Sequence, residues 1–399
     1  MSTQHSVYKN ASQKAYQLTT EQRNTYRQIS QEAREAKRRA SLGLLSSRNE
    51  VNTPRFEPNQ LMPQLESNGI SSLSLFSGGG GLDLGFDKAG YTHFGAYELI
   101  PICGETLKNN RPNWMIHSGP DKGDVTQIVW QEAQGSIDVI HGGPPCQPFS
   151  VAGQQAGQDD DRNMWDEFIR AVNTIKPHSF VAENVLGLLN PKFRGFLQDS
   201  ILDKLPDYAI KIFELNAADY GVPQIRRRVF FVGFRSQTAF KCFQMPKPTH
   251  ILMKSDDNLH CTDNLFEETL PKTMWVREAL GLPDIGYDSL APTLRSGFTG
   301  KRNTTSVLNS SAGQKAWGAL GIWPNGVQAN REKASAYPAK ADHFRLSVQD
   351  CALLQGFPEE WHFAGAVYQM LGQIGNSVSP PVAYQVAKAV ALALLGHKR

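Results

Sequence analysis

The residues with the clearest chemical content lie in IDVIHGGPPCQPFS at 137–150, where a short apolar run ends in two glycines, two prolines and Cys146. The prolines restrict the backbone ahead of the thiol and hold it in one place, as a nucleophile requires. A lone cysteine after a strand is more often a small buried apolar residue. The flanking Pro-Pro and Gln-Pro-Phe-Ser argue against that here. Glu183-Asn184-Val185 ends a second apolar run, and the carboxyl ends of parallel strands converge on one crevice, so Glu183 and Cys146 can meet there. A glutamate in that place could instead cap a helix. Gln224-Ile225-Arg226-Arg227-Arg228 then leads into VFFVG, where period-two alternation points Arg226 and Arg228 to the same side. The alternative is a solvated basic turn.

A second chemical feature is LSLFSGGGGLDLGFDKAG at 73–90, a strand pattern followed by four glycines, Gly78, Gly79, Gly80 and Gly81, and then an amphipathic helix pattern. Such a turn lets a ligand approach the backbone and exposes helix N-terminal amides to a polar group. Glycine turns of this kind serve nucleotides, flavins and S-adenosylmethionine alike. An acid at the end of the next strand, Glu98, is placed for ribose hydroxyls and favours an adenosine-type ligand over a bare phosphate.

The elements that must position these residues alternate. Apolar runs at 72–76, 93–98, 137–143, 178–184 and 229–234 are separated by helix-length stretches, which implies βαβ units and a doubly wound, mostly parallel α/β sheet covered on both faces. Residues 1–70 differ, being polar and poor in glycine. QEAREAKRRA at 31–40 favours helix, and the three prolines of NTPRFEPNQLMPQ should keep that following linker free of helix. The alternation is lost again from Phe234 to about His343. Within it, residues 291–345 carry eight Lys or Arg against two acids, with Phe298, Trp317, Trp323 and Tyr337 interleaved, which suits a nucleic-acid surface as well as it suits a solvated irregular domain. Regular structure returns with SVQDCALLQGF at 347–357 and a helix from Pro381 onward.

Length and composition set the outer bounds. The 399 residues are 40% hydrophobic and 20% charged, with a net charge of +3. Wholesale disorder is thereby excluded, and a polyanionic partner is permitted without being demanded. The five cysteines form no CxxC pair and suit a reducing cytoplasm. The apolar run from Val382 to Leu395 is interrupted by Gln385 and Lys388 and is short for a bilayer, so no membrane association is expected.

Together these runs resemble the cytosine-C5 DNA methyltransferases, bacterial restriction-modification type. The resemblance covers Ser71 to Gly396, in the order LFSGGGG, AYE, GDVT at 123–126, GGPPCQPFS, ENV, QIRRR, a variable region, LQGFP at 354–358 and GNSVSPPVA at 375–383. It implies an S-adenosylmethionine-dependent methyltransferase fold at 71–235 and a smaller, irregular target-recognition domain at 236–343. Residues 344–399 would return to the catalytic domain, placing the last helix near the first strand. Residues 1–70 read by composition as a helical extension and linker, and because every match begins at or after Phe76, residues 1 to about 65 are expected to be dispensable for the chemical step.

By matching position, the resemblance makes Cys146 the nucleophile, Glu183 the contact to the edge of a flipped cytosine, and Arg226 and Arg228 stabilisers of base and loop. S-adenosylmethionine would be held by Phe76, Ser77, Gly78 to Gly81, Leu82, Glu98, Leu99, Asp124, Val125, Pro144, Asn376 and Ser377. Gln147, Ser150, Thr293, Arg295, Lys301 and Arg302 would face duplex DNA, with Thr293-Leu294 resembling a Thr-Leu pair of the recognition domain. Two positions depart from the usual pattern: Ser74 stands where an acid often opens the first motif, and Leu99 where a bulkier residue often follows the ribose-binding acid. The family also implies a cytoplasmic monomer, a cognate restriction endonuclease as functional partner, and no metal. A methyltransferase of this fold acting on RNA, a regulator with a dead site and a nicotinamide oxidoreductase are the rivals. The long variable segment, the intact Cys146 and Glu183, and GGGG in place of GxGxxG argue against them in turn.

Overall fold

The computed structural model describes residues 50–145, 164–252, 270–294, 305–307, 310–337, 339 and 343–396, with scattered positions between 20 and 44. Cys146, Gln147, Ser150, Arg295, Lys301 and Arg302 lie outside the described residues.

Seven strands form the central sheet: β1 (Ser71–Leu75), β2 (Thr92–Glu98), β3 (Ile116–Ser118), β4 (Val139–Gly142), β5 (Ser179–Asn184), β6 (Ala209–Asn216) and β7 (Arg227–Phe234). Their order is β3-β2-β1-β4-β5-β7-β6. β1 to β5 are parallel, and β7 runs antiparallel to both β5 and β6. Alternation within each strand feeds two cores. Val139, Val181, Phe230 and Val232 join the core on one face, and Ile140, Phe180, Ala182, Val229 and Phe231 join the core on the other. The sheet is thus doubly wound and mostly parallel, as the sequence implies. β3 and β6 are strands that the sequence pattern left unassigned.

The helices that matter to the site are α1 (Pro58–Leu61), α2 (Gly81–Lys88), α3 (Pro101–Asn110), α4 (Trp165–Ile175), α5 (Val276–Ala279), α6 (Ser311–Ala319), α7 (Val348–Gln355), α8 (Val367–Asn376) and α9 (Pro380–Gly396). α4 covers one sheet face through Trp165, Phe168 and Val172. α2 covers the other and is itself covered by α9. That outer layer explains why α2 is not amphipathic: every residue from Gly81 to Phe86 is buried. Gly85 permits the close approach, since a Cβ there would lie 2.4 Å from Ala383 Cβ and 2.6 Å from the Tyr384 nitrogen. The Tyr91 hydroxyl also donates to the Ala387 carbonyl at 2.9 Å, so the C-terminal helix does return to the first βα unit.

The proline-containing stretch at 52–64 contradicts its expected lack of helix. Pro58 sits at the first turn of α1, where its missing N–H is unneeded. Nor is the stretch loose. Phe56 and Met62 enter the core, the Arg55 and Phe56 amides donate to the Ala279 carbonyl, and Asn52 donates to Leu280 O and to Asp350. Upstream, the described positions between Thr20 and Arg39 are helical and exposed. A two-stranded sheet, β8 (Ile322–Gln328) with β9 (Phe344–Ser347), joins the variable segment to α7.

Candidate active site

β4 and β5 end side by side, and the chemistry gathers at that edge. Glu183 is 7% exposed, and its Oε1 lies 2.8 Å from Arg228 Nε. Burial raises its carboxyl above the ordinary glutamate range, against the opposing pull of Arg228 and then Arg226. The backbone approaching Cys146 is close by: a Cβ on Gly143 would stand 3.3 Å from Glu183 Oε2, and Asn184 Nδ2 donates to the Pro144 carbonyl at 3.2 Å. Asn184 therefore holds the start of the Pro-Pro turn, a task that motif matching alone did not give it.

Alternation at 224–228 holds. Gln224, Arg226 and Arg228 turn inward while Ile225 and Arg227 are exposed, Arg227 pairing with Glu214 on the solvent side. Arg226, 2% exposed, donates through one guanidinium nitrogen to the carbonyls of Gly375 at 2.9 Å and Ser377 at 2.7 Å. Gln224 Oε1 accepts from the Leu294 amide at 3.1 Å. Its Nε2 donates to Leu354 O at 3.0 Å and Gln355 Oε1 at 2.9 Å. Gln355 Nε2 then reaches Ser377 O at 2.7 Å. Both glutamines are fully buried, and the fixed backbone donor at Leu294 and acceptors at Leu354 and Ser377 decide which way each carboxamide points. Thr293 donates to the Ile225 carbonyl at 2.6 Å. An open cleft of about 560 Å³ lies beside this pair, lined by Ile225, Trp275, Asp288, Leu290, Thr293 and Ser310.

The glycine turn forms the neighbouring part of the edge. Glu98, 6% exposed at the end of β2, accepts from the Gly78 amide at 2.7 Å through one oxygen and from the Ile100 amide at 2.8 Å through the other. Burial raises its carboxyl, tempered by those two amides. Phe76 takes a φ of 57°, in the left-handed region that an aromatic residue rarely enters. Gly78 has φ 56°, and a Cβ there would meet nothing closer than 4.0 Å, so its Cα faces open space. Leu99 and Ile100 are exposed beside it. Asp124 spends Oδ1 on the Thr126 amide and hydroxyl, Val125 is buried next to it, and Ser377 donates to Gln373 O. Asn376 is exposed at the end of α8.

These residues fit an adenosine-type cofactor. Each Glu98 oxygen has a second lone pair for a ribose hydroxyl, Leu99 and Ile100 offer an apolar platform, and Asp124 retains Oδ2 for a polar edge.

Residues 70–391 match the family model for C-5 cytosine-specific DNA methylases. The chain belongs to that family. As a C-5 cytosine-specific methylase it is 33% identical to the type II methyltransferase M.NgoMIV of Neisseria gonorrhoeae over 82% of this chain and 98% of that protein. It is 32% identical to the type II methyltransferase M.NaeI of Lentzea aerocolonigenes, over 82% of this chain and 75% of that one. Among solved structures, it is similar to a DNA modification methyltransferase encoded within an Escherichia coli prophage. The TM-score is 0.54 at 26% identity, covering 82% of this chain and 99% of the other. Spodoptera frugiperda DNMT2, with a TM-score of 0.50 at 19% identity over 80% of this chain and 99% of that one, shares the fold.

Proposed function

We propose that this methylase transfers the methyl group of S-adenosylmethionine to carbon 5 of a cytosine flipped out of a specific duplex DNA site, through a covalent adduct to Cys146. The observation that carries the reading is the buried Glu183–Arg228 pair against the Gly143–Pro144 approach to that cysteine, one strand away from the Glu98-bound glycine turn.

Carbon 5 of cytosine is a poor nucleophile. Addition of the Cys146 thiolate to carbon 6 converts the ring to an enamine whose carbon 5 can attack an electrophile, and thiolate suits the task because it is both nucleophilic and able to leave. Glu183, its carboxyl raised by burial, hydrogen-bonds or protonates ring N3 as charge develops there, and Arg228 fixes the carboxyl and faces the ring's C2 carbonyl. Arg226 holds the Gly375–Ser377 turn. The cofactor supplies a methyl group activated by its sulfonium. After transfer a base removes the carbon-5 proton and the thiolate departs. Because a stacked base is out of reach of these side chains, the target must leave the helix.

Cofactor binding falls to Phe76, Ser77, Gly78 to Gly81, Leu82, Glu98, Leu99, Asp124, Val125, Pro144, Asn376 and Ser377. DNA is assigned to the cleft beside Ile225 and Thr293 and to residues 236–343, with Gln147, Ser150, Arg295, Lys301 and Arg302 as further contacts. Residues 71–235 and 344–399 form the catalytic unit. The type II relatives support a restriction-modification role; the reading extends to protection of cytoplasmic DNA from a cognate restriction endonuclease, with the methylase acting as a monomer.

The test is expression in a methylation-free host with bisulfite mapping, followed by a duplex carrying 5-fluorocytosine at the mapped base. Fluorine blocks the final elimination, so an adduct on the Cys146 peptide is expected. An active preparation forming no adduct, or forming it elsewhere, would sink the mechanism.

A further inference from the structure

Glycines 79 and 80 make contacts that the ligand-binding reading does not use. A Cβ on Gly80 would lie 2.6 Å from Trp361 Cζ2, and one on Gly79 would lie 2.9 Å from Phe363 Cε1. Here the missing side chains admit protein rather than ligand: the strap between α7 and α8 lies directly on the turn. Trp361 is 3% exposed, and its indole Nε1 donates to the Gly79 carbonyl at 3.1 Å.

The strap is held from two helices. Asn110 of α3 donates to His362 O at 2.7 Å and accepts from the His362 amide at 2.8 Å. Thr106 of α3 accepts from the Ala364 amide at 2.9 Å and donates to Gln373 Oε1 at 2.6 Å, while Gln373 Nε2 of α8 donates to Ala364 O at 2.9 Å. Arg111 packs over the Trp361 ring at 5.3 Å and pairs with Asp87 at 2.9 Å.

We propose that Trp361 is a positioning residue for the cofactor: its indole N–H fixes the Gly79–Gly80 peptide, and with it the conformation in which the turn presents Gly78, whose Cα faces open space, to S-adenosylmethionine. The proposal rests on the reading of the glycine turn and Glu98 as the cofactor site. Glycine loses more conformational freedom on ordering than any other residue, and a turn left free would have to be ordered at the moment of binding. Glu98 fastens the turn at the Gly78 amide, and Trp361 fastens it one residue on, at the Gly79 carbonyl. A residue acting this way governs cofactor affinity, not the rate of the methyl-transfer step.

Trp361→Phe separates that role from simple packing, because it keeps a ring in the strap and removes the N–H. Loss of one neutral hydrogen bond should raise the KM for S-adenosylmethionine, and the calorimetric Kd for S-adenosylhomocysteine, by roughly threefold to tenfold. Turnover at saturating cofactor should change by less than about twofold on the same argument. Asn110→Ala, which loosens the strap without touching the core ring, should shift both constants in the same direction and serves should the phenylalanine variant not fold. Unchanged affinities in a folded variant, or a fall in turnover with unchanged KM, would overturn the proposal. Failure of the wild-type protein to bind either ligand would instead overturn the assignment of the cofactor site.

Discussion

Asp83→Asn should make the protein more stable at alkaline pH and leave it unchanged at acid pH. Asp83 is 1% exposed on α2, just past the glycine turn. Burial pushes its carboxyl up to about 7 from 3.8, tempered by the Ser74 and Ser77 hydroxyls and reinforced by the charge of Glu98. Because the folded value is raised, its contribution is fully present below pH 3.8 and is lost as pH rises through 7. That shift of roughly three units, at about 1.4 kcal/mol per unit, corresponds to about 4 kcal/mol. The neighbouring histidines act in the opposite window. His141, stacked on Phe86 at 4.1 Å, is pulled by burial to about 3, and His93, 4.0 Å from Asp83, to about 4. Depressed values of this kind give stability above pH 6.5 and lose it as pH falls toward them. The variant-minus-wild-type difference isolates Asp83. Urea unfolding at pH 4, 6 and 8 should show it growing from near zero to about 4 kcal/mol, a large part of a typical domain's stability. A difference independent of pH would refute the reasoning, because it would mean that Asp83 is ionised in the native protein throughout.

Arg228→Leu removes the largest influence that lowers the Glu183 carboxyl, so its titration, followed by NMR of carboxyl-labelled protein, should move to higher pH. No movement would contradict the ion pair. Gln224→Leu and Gln355→Leu, combined in a double-mutant cycle of unfolding free energies, should show a coupling of about 1 kcal/mol from their shared hydrogen bond; additivity would place the two amides apart. A chain starting at Glu50 should keep the wild-type single-turnover rate, whereas Phe56→Ala, which empties a core position, should cost about 3–5 kcal/mol in urea unfolding.

Strands with one dominant signal were legible in the sequence. SFVAEN and VFFVGF are buried on both faces, and their centres FVA and VFFV read as continuous apolar runs. β6 was missed because the alternation of AIKIFELN breaks at Ile212-Phe213 and, as the sheet's edge strand, it leaves Lys211 and Glu214 exposed on opposite faces. β3 has only three residues, Ile-His-Ser, too few to show any period. α2 was read as amphipathic because nothing local announces that α9, some 300 residues later, covers its outer face. At the site, Glu183 with Arg228 could be found, since strand ends and period two are local rules. Gln224 and Gln355 could be named only as parts of motifs, and Trp361, beyond LQGFP, belonged to none. Their partners lie 131 residues apart in the glutamine pair and 282 residues away at Gly79, and several are backbone atoms, which carry no residue type for a sequence pattern to reveal.

The run 224–228 shows how a short alternation can serve several distant segments. Its inward residues engage, in order, the Leu294 amide, the Gly375 and Ser377 carbonyls, and the Glu183 carboxyl. Its outward residue Ile225 lines the cleft beside Thr293, and its own carbonyl accepts from that threonine. A period of two makes this arrangement possible, because one backbone segment then presents three side chains inward at about 6–7 Å spacing. It also makes the arrangement unforgiving: a one-residue slip would exchange the buried arginines for Ile225 and Arg227. The register is pinned against such a slip at both ends, by the Ile225 amide on Ala291 O and by the β7 ladder, in which Val229 stands opposite Asn184. The order of residue types in QIRRR therefore follows from which neighbours need an amide, which need a guanidinium, and which face the open cleft.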